Sequence, residues 1–175
     1  MIKKLWSIIK LFFKPIKTLH PIILEPNTPS IPLPREAAWM VFAMGELGIE
    51  EVPGKLSQPH ILEYAKSIGY NMTDDTVDKW CAMFVAWCLN KSGEANTGNA
   101  MAASYCRYGI PCEPKFGAIA VFEWVSGFHH VTFIDSTDGE ILKCLGGNQG
   151  NKVSYKFYDR KYMISCRWPR KNNVN

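Results

Sequence analysis

Cys81 stands near the head of the run Trp80-Cys81-Ala82-Met83-Phe84-Val85-Ala86-Trp87-Cys88-Leu89, just after the acidic stretch Asp74-Asp75-Thr76-Val77-Asp78. Further on, His129-His130 opens a strand-like run, and Gly146-Gly147-Asn148-Gln149 closes the next one. A thiol at a helix start, an imidazole on a strand and an amide at an adjoining strand end are the parts of an acyl-transfer centre. The thiolate is the strong nucleophile, and the free N–H groups and dipole at a helix N-terminus favour its negative charge. An imidazole takes the thiol proton and returns it to a leaving amine. A third polar group, here an Asn, holds the imidazole in one tautomer and orientation. The Cys81 backbone N–H lies at the same helix start and is available to an oxyanion. The competing reading is a packed core thiol, since cysteine is among the most buried residue types. Cys88, Cys106, Cys112, Cys144 and Cys166 read that way.

These groups need a helix and a sheet to hold them. Helical spacing predicts helices over 36–47, 59–68 and 80–91, with Gly48, Gly69 and Gly93 as stops, and a weaker one over 100–105. The third is apolar nearly all round, hence central. After Pro114 the pattern turns to strands over 118–125, 130–136, 140–145, 153–158 and 164–168. Helices followed by consecutive antiparallel strands make an α+β fold. Asp138-Gly139 is a hairpin turn signal. A two-residue turn there sets His130 opposite Gly147; a three-residue turn with a bulge shifts the register by one and brings Asn148 to the His130 face. Pattern alone leaves open which histidine is the base.

At 175 residues, 47% of them hydrophobic and 13% aromatic, the chain can build one domain with a real core. The 6 cysteines show no Cys-x-x-Cys pair and no zinc spacing, and they read as reduced thiols from synthesis in a cytoplasm. The net charge of +4 is accounted for by Lys3, Lys4, Lys10, Lys14 and Lys17 against Glu25 in residues 1–34. The remainder is neutral overall, which argues against a nucleic-acid partner. Residues 1–17 have the pattern of a basic amphipathic helix, with lysines on one face and Leu5, Ile8, Ile9, Phe12, Phe13 and Ile16 on the other. Lysines interrupt it too early for a membrane span, and no clear cleavable signal is present. An interfacial helix on an anionic membrane, placed by residues 3–17, is the functional reading; packing on the domain or disorder is the alternative. Residues 18–34 are a proline-rich linker, 35–170 the catalytic domain and 171–175 a polar tail. If the helix is an anchor, the full chain binds anionic vesicles in a salt-sensitive way and a chain starting at Arg35 does not; equal binding by both would dismiss the anchor.

The motifs together resemble the CHAP group (cysteine, histidine-dependent amidohydrolase/peptidase) of papain-like cell-wall hydrolases, found in bacteria and as phage lysins. The resemblance rests on Glu46-Leu47-Gly48-Ile49, Pro53-Gly54, Ile61-Leu62-Glu63-Tyr64, Trp80 to Val85, Gly117-Ala118-Ile119-Ala120-Val121-Phe122, His130-Val131-Thr132-Phe133-Ile134, Gly146 to Gln149 and Arg167-Trp168-Pro169. The order Cys, His, Asn is that of papain. The resemblance implies N-terminal helices packed on a five- to six-stranded antiparallel sheet. It implies Cys81, His130 and Asn148 as catalytic residues, with Gln149 the runner-up to Asn148. His129 stands where the family tends to have Gly and is a secondary candidate. Some relatives bind calcium through acids just before the cysteine. Asp74, Asp75 and Asp78 are the corresponding candidates, but they lack the Asp-x-Asp-x pattern, and a solvated acidic loop is the alternative. No cofactor is required. The expected partner is peptidoglycan, the expected state a monomer and the expected place of action the cell wall. The expected activity is cleavage of a murein amide, either between muramic acid and the stem peptide or within the peptide. The alternatives are a membrane-active lysis or toxin factor whose domain only binds murein, and a thiol acyltransferase.

Overall fold

The computed structural model describes residues 35–53 and 57–170. The amphipathic helix over 1–17, the linker over 18–34 and the tail over 171–175 lie outside the described residues.

Among the described residues there are three α-helices, α1 (Trp39–Gly45), α2 (Pro59–Lys66) and α3 (Cys81–Lys91). Six strands follow: β1 (Ile110–Pro111), β2 (Ile119–Val125), β3 (Phe128–Thr137), β4 (Ile141–Gly146), β5 (Ser154–Asp159) and β6 (Met163–Trp168). They form one sheet in the order β1-β6-β2-β3-β4-β5, with every pairing antiparallel. The fold is α+β, with the sheet at the upper end of the expected strand number. No described helix is long and apolar enough to cross a membrane.

α3 is the central element because its residues from Cys81 to Leu89 are all buried. A helix that is apolar all round can sit only inside a core. It ends where Gly93 takes φ 79° and Glu94 N–H donates to Leu89 C=O at 2.9 Å, a C-terminal closure that a glycine makes without strain. Phe84 packs edge-on against Phe133 of β3, with ring centroids 6.3 Å apart. Tyr64 of α2 reaches Phe84, Trp80 and Trp87, and its hydroxyl donates to Glu46 Oε2 at 2.6 Å. α1 is shorter than the sequence suggests and buries Trp39, Met40 and Ala43, leaving Val41 exposed. The sheet's two faces feed separate apolar clusters. Ile119, Val121, Val131, Phe133 and Leu145 meet the helices; Ala118, Ala120, Phe122, Ile134, Leu142 and Cys144 pack with Tyr158 and Tyr162 on the other face.

The β3–β4 hairpin departs from the expected turn. Thr137 pairs with Leu142, and Asp138 N–H donates to Ile141 C=O at 3.3 Å, so the loop is Gly139-Glu140. The extra residue is Asp135, a bulge between Ile134 and Ser136. Beyond it Ile134 faces Cys144 and Phe133 faces Leu145. The β3–β4 pairing ends at this pair and β4 ends at Gly146, before Asn148.

The end of β4 lies hard on α3. A Cβ on Gly147 would come within 2.5 Å of the Trp80 ring and 2.7 Å of Phe84 Cβ. Gly147→Ala is therefore expected to destabilise the domain by about 1–3 kcal/mol through overpacking. Denaturant unfolding checks this, and an unchanged midpoint would mean that the Trp80 ring simply yields.

Candidate active site

Cys81 is the first residue of α3 and is 5% exposed. Trp80 before it is fully buried, and its indole N–H donates to Glu51 Oε1 at 2.8 Å, fixing the approach to the helix. The backbone N–H groups of Val131, Ala82 and Cys81 bear on the sulfur, as does the Lys79 charge, and each favours the thiolate. Burial opposes them and wins, so the thiol titrates above its ordinary value. The sequence reading anticipated only the helix-start effect. The opposing effect is burial, which no local pattern reveals.

His130 lies on β3 opposite Phe122. Its ring neighbours Tyr158 at 5.8 Å and Trp124 at 6.3 Å between centroids. This half-buried, aromatic setting penalises the imidazolium and brings the pKa down to about 4, against a smaller upward pull from Gln149. Near neutral pH the resting pair is thus a thiol and a neutral imidazole.

The ring is held by Gln149. His130 Nε2 lies 3.1 Å from Gln149 Oε1, which also accepts from Tyr158 O–H at 2.8 Å. The Gln149 amide nitrogen donates to the C=O groups of Ser154 and Cys144. Both ends of the amide are therefore assigned by their partners, and an Oε1 acceptor requires Nε2 to carry the imidazole proton. Nδ1 is left as the basic nitrogen. Gln149 is 2% exposed, and Ser154 Oγ–H donates to its C=O at 2.9 Å.

Asn148, expected to contact the ring, instead takes φ 56°. Asn is one of the few side chains that tolerate this left-handed conformation, and the turn presents Gln149 to the imidazole. Asn148 lines a cavity of about 310 Å³ together with Lys79, Cys81, Phe128, His129 and His130. His129 Nε2 sits 3.5 Å from Glu123 Oε1. The site thus brings Cys81 and His130 to one cavity, with Asn148 in its wall and Gln149 beneath the ring. Sequence reasoning missed Tyr158 and Lys79. The alternation of β5 could have signalled Tyr158; its position two residues before the cysteine was the signal for Lys79.

The acids before the cysteine do not converge. Asp74 Oδ1 accepts from Thr76 N–H and O–H at 2.9 and 2.6 Å. Asp75 is buried and accepts from Gln58 N–H at 2.7 Å, and Asp78 accepts from Tyr70 O–H at 3.0 Å. Among the described residues no three His, Cys, Asp or Glu side chains are grouped to hold a metal ion.

The lowered His130 pKa has a consequence for stability. Above pH 6.5 neither the folded nor the unfolded chain protonates this residue. Between pH 6.5 and about 4 the unfolded chain takes a proton that the folded one refuses, so stability falls with pH across that window and the contribution levels off below it. The expected loss is up to about 3 kcal/mol. Denaturant unfolding at pH 7 and 4.5 should show a shallower loss in His130→Gln than in the wild type; identical losses would refute this account.

The CHAP domain family model matches residues 72–148, ending one residue before Gln149. None of the curated proteins matches the chain. Among solved structures, a protein from Staphylococcus aureus subsp. aureus Mu50, described as similar to a lipoprotein of the NLP/P60 family, aligns at 17% identity with a TM-score of 0.46, over 79% of this chain and 42% of that one. The matched stretch contains both Cys81 and His130 on the elements just described, so this part of the chain is similar to a CHAP domain.

Proposed function

We propose that the chain hydrolyses an amide bond of peptidoglycan with Cys81 as nucleophile, His130 as general base and acid, and Gln149 as the residue that positions the imidazole. The observation that carries this reading is the hydrogen bond between His130 Nε2 and Gln149 Oε1. It leaves Nδ1 unprotonated in the ring that shares a cavity with the thiol. As the Cys81 sulfur attacks the carbonyl, its proton passes to His130 Nδ1. A thiol kept neutral by burial is activated in this concerted way and does not rest as a thiolate. The Cys81 backbone N–H is the proposed oxyanion donor. His130 then protonates the leaving amine, and afterwards takes a proton from the water that hydrolyses the thioester.

Digestion of purified murein, with mass spectrometry of the released fragments, tests the reading. New amine and carboxyl ends separated by one added water identify both hydrolysis and the bond cut. Joined peptides without added water would replace hydrolysis by acyl transfer, and intact murein would overturn the proposal.

A further inference from the structure

We infer that Lys79 forms an anion subsite beside the nucleophile, so that the preferred substrate carries a carboxylate within about one residue of the scissile amide; this rests on the hydrolase reading above. Cys81 is flanked by two cavities. The one of about 310 Å³ also holds His130 and Asn148. The other, of about 200 Å³, is bounded by Ala100, Met101, Ala103, Gly127 and His129. Lys79 lines both, and neither lining contains a carboxylate. Among the described residues Lys79 takes part in no ion pair. The other flanking cation candidate, His129, already has Glu123 at 3.5 Å.

The Lys79 charge acts on the site itself, since it is one of the influences favouring the Cys81 thiolate. Lys79 lies two residues before Cys81 and shares both cavity walls with it, which sets the ammonium beside the groups next to a bound carbonyl. Exposed Met101 borders one cavity and exposed Phe128 the other, so each offers apolar surface beside the charge. The alanine-lined cavity has room for a small side chain. A substrate residue with a small side chain next to one bearing a free carboxylate fits this pattern, and murein stem peptides contain such a pair as a chemical class. The amidated form of the same peptide offers no charge to Lys79.

The test uses a short γ-linked D-glutamyl peptide and its α-amide, identical otherwise. Binding is measured calorimetrically to the full-length Cys81→Ala protein, so that turnover does not intervene. The free acid is expected to bind on the order of tenfold more tightly than the amide, with a preference that falls as salt rises. Adding Lys79→Met should abolish the preference by weakening the acid alone, and Lys79→Arg should restore it. Equal weakening of both peptides, no discrimination, or no binding of either peptide overturns the subsite. If Lys79 acts only through the thiol, Lys79→Met in the wild-type background lowers turnover of both peptides equally and shifts the alkylation profile of Cys81, which also overturns it. Retained discrimination in a protein that cleaves neither peptide would remove the hydrolase reading and leave the subsite standing.

Discussion

Cys81→Ala is expected to lose murein hydrolysis by a factor on the order of 10³ or more while remaining folded. The side chain is small, and removing one buried sulfur leaves a small void costing about 1 kcal/mol. What singles this sulfur out is its place on the first residue of α3, in the wall of the cavity that His130 also lines. Cys81→Ser should be nearly as inactive, because a hydroxyl is a weaker nucleophile and the neutral His130 imidazole is a poor base for it. Circular dichroism and thermal unfolding establish that each variant is folded before its activity is read. Turnover within tenfold of wild type in a folded Cys81→Ala protein would remove the thiol mechanism altogether.

The second large effect is expected at His130 and separates it from its neighbours. His130→Ala should cost a factor on the order of 10² or more, since base and acid are lost together. His129→Gly should stay active, its ring being occupied with Glu123. Gln149→Ala should fall between these two in activity. It should also cost about 1–3 kcal/mol of stability, because it strips buried partners from Tyr158 O–H and the Ser154 C=O. Asn148→Gly should keep both activity and stability, since glycine accepts φ 56° without strain. Asn148→Gly crippled and Gln149→Ala unaffected would return the positioning role to Asn148.

The place of Cys81 at the head of a buried helix was readable because an apolar run with a cysteine at its head admits few arrangements. The sheet was readable from β2 to β6 by alternation and turn residues. β1 was not, being a two-residue strand, Ile110–Pro111, that exists only by pairing with β6. The choice between Asn148 and Gln149 was out of reach for a sharper reason. It depends on where one extra residue, Asp135, is absorbed in β3 and on the backbone angle at Asn148, neither of which the residue pattern displays. The balance at Cys81 was hidden in the same way, because desolvation depends on what covers the sulfur.

The sheet order has a bearing on when the chain becomes competent. β6 is the last strand among the described residues, yet it lies between β1 and β2 and holds both. During synthesis from the N-terminus, α3 with its thiol is complete well before β3, and β2 lacks one neighbour until residues up to Trp168 have emerged. Loop closure over such separations is slow and cooperative. A chain ending before Met163 therefore carries Cys81 and His130 on a half-built sheet with β2 as an open edge. A chain cut before Met163 should accordingly fail to reach the cooperative fold of the whole domain, which thermal unfolding would show.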